Sequence, residues 1–296
     1  MHVTLSQQIS NFKSLVANNV NAIRLAANHS WCHINLNQRE PSIIHDYFIG
    51  KNGSGIPILN QFIAPLFLPD GYEVKFAGVF CHGHPQVTPM QGQVHANTRS
   101  RMVSDCELGD LHLVFAFLDQ QKNLRNQRAI LFQAKKKPKK GTLDRIDNDN
   151  QACLYERADS FDYTTLLAGQ SRNMPIGRAR EKALHYLFCG KHPVTTSSAT
   201  APARMDFGEL LLRFMLDSEG LFFEPSTANG YRRWSHINRD LLGEVSKATA
   251  QGARRGDISS LLSHFNDFTD PTEFFLSKDG GVSTLLVIVK DTKLPA

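Results

Sequence analysis

The chain has 296 residues, of which 41% are hydrophobic and 21% are charged, and its formal net charge is +5. This composition is typical of a globular protein with a buried core, and it excludes a disordered or fibrous chain. No apolar run reaches the roughly 18 residues that a membrane-spanning helix needs. The first residues lack the pattern of a secretory signal, and the five cysteines are far apart without a CxxC pair. We therefore expect a cytoplasmic protein without disulfide bonds.

The N-terminal part of the chain is predicted to be helical. Apolar residues recur at steps of three and four over residues 9–27, which indicates one face of an amphipathic helix. Two shorter helices are predicted over residues 41–49 and 57–67. Each of these begins with a proline, which is favoured at the first position of a helix.

Strands are predicted next, because the apolar pattern changes its period. Residues 73–80 alternate as a strand does, and residues 110–118 are apolar on both faces, as in a central strand. A further strand is predicted over residues 128–135. The polar, proline-containing segment 82–105 is predicted to be mostly loop.

The remaining elements are mixed. A helix is predicted over residues 150–158, a strand over 182–189 and a loop over 190–205. Three helices and a buried strand then follow, starting at Asp206, after Ser235, after Asp257 and at Ser283. The elements along the chain are first helices, then strands and then both kinds together. This order predicts the α/β or the α+β class with a mixed sheet.

Three polar residues stand out in the two central strands. Asp110 begins one of them, and Gln133 and Lys135 end the other. Because side chains alternate across a strand, Gln133 and Lys135 share a face, and Ala134 points to the opposite one. The short polar connection predicts a hairpin, which would bring Asp110 across from this pair. A buried glutamine also needs partners, since an unsatisfied amide costs roughly 1–3 kcal/mol.

This cluster is suited to metal-assisted hydrolysis of a phosphodiester. Mg²⁺ prefers oxygen ligands and keeps several waters, so the Asp110 carboxylate, the Gln133 side-chain oxygen and the Ala134 backbone carbonyl can supply enough of them. The metal acidifies a bound water. Lys135 can orient that water or stabilise the negative charge that develops on the phosphate. The pattern predicts a Mg²⁺ site, with Mn²⁺ as an alternative ion.

The order of these features resembles the PD-(D/E)XK nucleases of the restriction-endonuclease-like fold, in which an acidic residue at a strand start is followed by a hairpin and then by a motif such as Gln-x-Lys. The stretches that carry the resemblance are CELGDL (106–111), LFQAK (131–135) and QACLYE (151–156). The resemblance covers roughly residues 40–190 and implies an α/β nuclease core with a central mixed sheet flanked by helices; with the N-terminal helix, this core takes residues 1–190. Residues 191–296 resemble no family, and we expect them to form a mostly helical extension that ends in a strand and packs on the same core.

The glutamine form of the motif is similar to the Mrr-type branch and to nuclease modules of bacterial anti-phage systems. The resemblance puts Asp110, Gln133 and Lys135 at the catalytic positions. It also implies a metal ligand from the first core helix, for which Glu40 is the nearest residue. The implied function is a Mg²⁺-dependent endonuclease in restriction or anti-phage defence, with DNA as the expected substrate.

A basic run leaves the predicted site directly. Its members are Lys136, Lys137, Lys139, Lys140 and Arg145, and Arg99 and Arg101 precede the site in a polar loop. Charge runs are usually solvated loops, but this one begins where a phosphate backbone would have to pass. Contacts to phosphates supply most of the sequence-independent affinity for nucleic acid. We therefore expect the run to bind nucleic acid, double-stranded DNA above all.

Other residues near the motif allow two readings each. Glu107 is either a second metal ligand or part of the approach loop, and we favour the loop. Gln151 either faces the site or begins a helix whose buried face includes Tyr155. The segment 81–84 (CHGH), with His95 downstream, has the residue types of a zinc site. It lacks a second close pair, so we favour an ordinary strand end.

Two other functions fit the same pattern. One is a non-catalytic nucleic-acid-binding or assembly subunit with the same fold, and the other is a structural subunit whose basic loop docks an acidic protein. The apolar faces of residues 191–296 either enlarge the core or mediate a homo-oligomer or a contact with a defence-system partner. The sequence leaves these alternatives open, and it does not distinguish DNA from RNA.

Overall fold

Two β-sheets organise the chain: nine of the described strands form the larger sheet and four form the smaller one. The structure is a computed structural model. It describes residues 4–81, 83, 85–90, 104–136, 149–165, 167–198, 204–224, 233–249, 261–262, 265, 274–277 and 280–293.

Four helices precede the first strand: α1 (Leu5–Asn18), α2 (Val20–His29), α3 (Glu40–Phe48) and α4 (Ile56–Phe62). Thr4 caps α1, since its side chain accepts a hydrogen bond from the backbone N–H of Gln7. The single amphipathic face predicted over residues 9–27 belongs to two helices that meet at Asn19. The Asn19 N–H ends α1 on the carbonyls of Leu15 and Val16.

The large sheet is mixed. Its long strands are β1 (Tyr72–Cys81), β4 (Leu111–Leu118), β5 (Leu124–Lys136), β8 (Leu184–Cys189) and β13 (Ser283–Asp291). The spatial order is β8-β5-β4-β13-β1. β5 is antiparallel to β4 and parallel to β8. β13 runs parallel to β4 on one side and antiparallel to β1 on the other. The predicted α/β protein with a mixed central sheet flanked by helices is therefore confirmed.

Shorter strands complete the large sheet. β9 (Val194–Thr196) and β10 (Met205–Asp206) extend it beyond β8, and β12 (Phe274–Ser277) pairs with β1. β11 (Leu221–Phe222) pairs with the beginning of β5. β9 lies in a segment that the sequence predicts as loop, and three residues give too short a pattern to recognise.

The small sheet has the order β3-β2-β6-β7, with β2 (Gln86–Met90), β3 (Cys106–Glu107), β6 (Ser160–Tyr163) and β7 (Ser171–Asn173). The prediction of a loop over residues 82–105 is wrong for residues 86–90, which form β2. Val87 of this strand is fully buried and faces Tyr163 of β6. Pro89 and the polar neighbours mask the strand in the sequence, because proline usually disfavours a paired strand.

Both faces of the large sheet are covered. Ile130, Phe132 and Ala134 of β5 pack with the N-terminal helices in one core. Ala129 and Leu131, on the opposite face, pack in a second core with the small sheet and with α8 (Arg233–Thr249). A strand buried on both sides needs apolar residues at every position, which explains the unbroken apolar runs in the sequence.

Residues 191–296 share these cores with the rest of the chain. α7 (Phe207–Met215) is capped by Asp206, whose side chain accepts from the Glu209 N–H at 2.7 Å, as the capping-box pattern predicts. Gly208 lets α7 lie against the backbone of α2. β13 joins strands of the first segment, so residues 1–190 and 191–296 build one sheet.

Three short elements connect the strands near the centre: α5 (Asp149–Ala152), a π-helical turn (Cys153–Arg157) and α6 (Arg178–Ala183). Of the helix predicted after Asp257, only residues 261, 262 and 265 are described, and all three are buried. Among the described helices, none is both long enough and apolar enough to cross a membrane.

Candidate functional site

Strand pairing brings Asp110 and Gln133 together. Leu111 lies opposite Phe132 in the antiparallel β4–β5 pair, so Asp110, one residue before β4, comes opposite Gln133. The Asp110 N–H donates to the Phe132 carbonyl at 2.8 Å, which continues the ladder by one rung. The predicted hairpin is therefore present, and it connects two inner strands of the sheet.

The Asp110 carboxylate is buried and held by two donors. Its Oδ2 accepts a hydrogen bond from the Ala134 N–H at 2.7 Å and another from Nε2 of Gln133. The exposed fractions of Asp110 and Gln133 are only 3% and 1%. The other end of the Gln133 amide differs: Oε1 is buried and finds no hydrogen-bond partner within the described residues. Such an atom is costly in a folded protein unless something outside the chain satisfies it.

The surroundings of Asp110 disfavour the ionised form of its carboxyl group. Burial, and next the negative charge of Glu107, raise the pKa of Asp110 to about 7. The Ala134 N–H and the Lys135 ammonium act in the opposite direction, and Glu40 adds a smaller upward contribution. The carboxyl group therefore keeps its proton to a higher pH than an ordinary aspartate does. A divalent ion that displaced this proton would gain the negative charge of a buried carboxylate.

Lys135 is oriented by a glutamine of the following helix. Its Nζ donates to Oε1 of Gln151 at 2.5 Å, and Gln151 is itself buried. One turn later, the Tyr155 hydroxyl donates to the Leu108 carbonyl at 3.0 Å. Both readings of this helix therefore hold, because Gln151 faces the site and Tyr155 is part of the buried face. Together the two residues fix the end of β5 and the loop before Asp110.

Gly109 allows this close packing. A Cβ atom at this position would lie 2.8 Å from Leu131 Cδ1 and 3.0 Å from the Tyr155 hydroxyl. A larger residue at this position would therefore require Leu131 and the Tyr155 hydroxyl to shift.

Glu40 lies close to the same strand end. It begins α3, and its Oε1 accepts from the backbone N–H of Lys136 at 3.0 Å. The first core helix thus brings a carboxylate to the end of β5. Lys136 itself is exposed.

Glu107 lies in a strand, and most of the predicted basic run is outside the described residues. Glu107 ends β3 at the edge of the small sheet, so it is not part of the approach loop that we favoured from the sequence, and its negative charge acts on Asp110. Outside the described residues are Lys137, Lys139, Lys140, Arg145, Arg99, Arg101, His82, His84 and His95. The zinc reading of residues 81–84 therefore stays untested.

Two buried residues close to the cluster were missed in the sequence. His112 lies two positions after Asp110 on the same face of β4, and its Nε2 is 2.8 Å from Oδ1 of Asn238 in α8. A histidine inside the apolar run LHLVFAFL was the available signal, because a buried imidazole needs a partner. The partner could not be identified from sequence, since it lies more than a hundred residues further on.

The donors around Asp110 differ from those of a transition-metal site. Over the residues that the structure describes, no three His, Cys, Asp or Glu side chains are grouped so that they could hold a metal. The cluster instead combines a carboxylate and an amide oxygen, which is the oxygen chemistry that Mg²⁺ accepts. Oε1 of Gln133, which has no hydrogen-bond partner among the residues that the structure describes, fits such an ion. Comparisons with family models, curated proteins and solved structures find no match for this chain.

Proposed function

We propose that this protein is a Mg²⁺-dependent nuclease that hydrolyses phosphodiester bonds at the Asp110–Gln133–Lys135 cluster. The observation that carries the proposal is the buried Oε1 of Gln133, which finds no hydrogen-bond partner within the described part of the chain and lies beside the buried carboxylate of Asp110. A chain gains nothing in stability from such an arrangement, because an orphaned buried oxygen costs roughly 1–3 kcal/mol. A bound cation would give that oxygen a function.

The ligands for the metal would be the Asp110 carboxylate, Oε1 of Gln133, the Ala134 carbonyl and Glu40. When bound, Mg²⁺ supplies a water of lowered pKa and shields the phosphate oxygens. The Ala134 N–H holds Asp110 in place through Oδ2. Glu40, anchored on the Lys136 N–H, limits how far the strand end can move.

Lys135 would act on the phosphate. Its ammonium is kept at the cluster by Gln151 and can stabilise the negative charge that develops during hydrolysis. Lysine needs such an anchor because its side chain has four rotatable bonds and would otherwise sample solvent. Gln151 accepts from the ammonium without neutralising it, so the full positive charge remains available.

The core layout supports the comparison with restriction-endonuclease-like nucleases and also departs from it. β4 and β5 form the hairpin, a helical segment follows, and β8 returns parallel to β5. The departure is β13, which separates β1 from β4. We extend the proposal to DNA as substrate and to a role in restriction or anti-phage defence, on the strength of the sequence resemblance and the basic run after Lys135.

The test is a cleavage assay on plasmid DNA and on RNA with Mg²⁺, Mn²⁺ or EDTA. We expect metal-dependent cleavage by the wild type and none by Asp110→Asn. Asp119→Asn is the matched control, because Asp119 is a second buried aspartate in the same hairpin but binds Arg125 and Asn123 at its far end. If Asp110→Asn cleaves as fast as the wild type, the site is wrong, and a non-catalytic nucleic-acid-binding role takes its place.

A further inference from the structure

α8 presents buried polar side chains to both sheets. Asn238 is fully buried and contacts β4 of the large sheet, whereas Asp240 contacts β7 of the small sheet. Two positions along a helix correspond to a rotation of about 200°, so these side chains leave α8 in nearly opposite directions. The helix therefore lies between the sheets and makes a directional polar contact with each of them.

In the contact between α8 and the large sheet, the donor and the acceptor of the hydrogen bond can be assigned. The Asn238 amide nitrogen donates to the Trp234 carbonyl at 2.7 Å, which turns its oxygen towards His112. His112 Nε2 must then be the donor of the 2.8 Å bond, and Nδ1 is the nitrogen without a hydrogen. Nδ1 is buried and has no hydrogen-bond partner in the described structure. Asn238 thus satisfies the single polar hydrogen of a buried ring that belongs to the strand of Asp110.

The contact with the small sheet is a forked ion pair. Arg172 of β7 donates from Nε to Asp240 Oδ2 at 2.5 Å and from Nη2 to Oδ1 at 3.2 Å. Both side chains are largely buried, and the guanidinium lies over the Tyr163 ring. Two parallel bonds fix an orientation as well as a distance. The same small sheet carries Glu107, whose charge acts on Asp110.

We propose that Asn238 and Asp240 are positioning residues: through α8 they fix β4, the strand that follows Asp110, relative to the small sheet, and so hold the Asp110 carboxylate where the metal would bind. This inference rests on the proposed function for its metal, but the mechanical coupling does not depend on it. It assigns the C-terminal segment a role in the site, although Gln133 and Ala134, which donate to the Asp110 carboxylate, both lie on β5.

The experiment compares Asn238→Ala and Asp240→Asn with Ser30→Ala. Asp240→Asn keeps the shape of the side chain, so it remains informative if the alanine variant does not fold. Ser30 is the control because its hydroxyl makes buried hydrogen bonds on the other face of the large sheet, to Ala27 and Tyr47. Two readouts are measured: the Mn²⁺ concentration that half-saturates protection against unfolding, and hydrogen exchange in the peptides that contain Asp110 and Glu107.

Positioning predicts a loss of Mn²⁺ affinity of up to ~10-fold in both α8 variants, because residues that hydrogen-bond a metal ligand directly contribute roughly 10–100-fold and these two residues act one step further from the ligands. It also predicts faster exchange at Asp110 and Glu107 in those variants, while Ser30→Ala changes neither readout beyond its effect on global stability. Equal Mn²⁺ affinity and equal exchange in all three variants would overturn the inference. If the wild type binds no Mn²⁺, the proposed function fails, and the exchange pattern still decides whether α8 couples the two sheets.

Discussion

Gln133 and Gln127 offer a controlled test of the metal site. Both lie on β5, both face the core that contains α8, and each is 1% exposed. Each donates one hydrogen bond from Nε2, Gln133 to Asp110 and Gln127 to the Phe223 carbonyl at 2.9 Å. Each also has a buried Oε1 without a hydrogen-bond partner among the described residues. Replacing either one by methionine therefore removes the same groups, but only Gln133 lies beside a carboxylate.

The expected free energies follow from these contacts. A net neutral hydrogen bond contributes roughly 0.5–1.5 kcal/mol, a bond to a charged group roughly 1.5–3, and an orphaned oxygen costs roughly 1–3. Each methionine variant loses one hydrogen bond from Nε2 but also removes one orphaned Oε1, and these two effects are of similar size. Without metal, each variant should therefore change the free energy of unfolding by only about 1–2 kcal/mol. At 100 times its dissociation constant, a ligand adds about 2.7 kcal/mol to the stability of a native protein, and a 100-fold weaker site leaves about 0.4.

The assay is urea unfolding in EDTA and in Mn²⁺ at about 100 times the wild-type dissociation constant. We expect the wild type and Gln127→Met to gain the same stabilisation from Mn²⁺, and Gln133→Met to lose most of it. An equal gain in the two variants would refute the assignment of Gln133 as a ligand. No gain in the wild type would refute the metal site altogether.

Further predictions concern the same cluster. Burial raises the pKa of Asp110 from 3.8 to about 7, so the folded chain holds this proton more tightly than the unfolded chain does. Without metal, stability should therefore fall as the pH rises from about 4 to 7; Asp110→Asn should remove this slope in urea unfolding at pH 5 and 8, and an unchanged slope contradicts the burial argument. Lys135→Ala should slow cleavage by about a hundredfold to a thousandfold while leaving Mn²⁺ stabilisation intact, and cleavage at the wild-type rate argues against its role. Gln133→Glu adds a charged oxygen and should keep measurable Mg²⁺-dependent cleavage, as a plasmid assay can determine. Replacing Lys136 and the lysines over 137–140 by alanine should reduce the slope of log affinity against log salt by roughly 0.9 for each lost phosphate contact, whereas an unchanged slope identifies a solvated loop.

Local rules predicted the parts of the site that depend on one hairpin. Alternation along β5 put Gln133 and Lys135 on one face, and the short connection after β4 brought Asp110 opposite them. These inferences need only strand geometry over a few residues, and the hydrogen bonds around Asp110 agree with them. The catalytic roles of the three residues stay a prediction until cleavage is measured.

Contacts between distant segments could not be predicted in this way. The sequence indicates that residues 283–290 form a buried strand, but an apolar strand carries no mark of its neighbours. Nothing in it specifies a place between β1 and β4. The hydrogen bond between His112 and Asn238 could not be predicted for the same reason. The partner of a buried polar group is determined by the packing of distant segments, which the sequence does not show. Asn19 divided the predicted N-terminal helix because two amphipathic helices can share one apolar period across a short break.

The position of β13 has a consequence for the order in which the protein can assemble during synthesis. β1 and β4 have no common partner until residues 283–291 have been made, because β13 supplies the ladder on both sides. A nascent chain can close the β4–β5 hairpin early, but it cannot complete the sheet beneath Asp110. Contacts between such distant segments are also slow to form, because the closure of a long loop costs entropy before it is rewarded. A chain released before β13 is therefore expected to lack the ladder that holds β4 in the sheet, and with it the metal binding that we propose at Asp110.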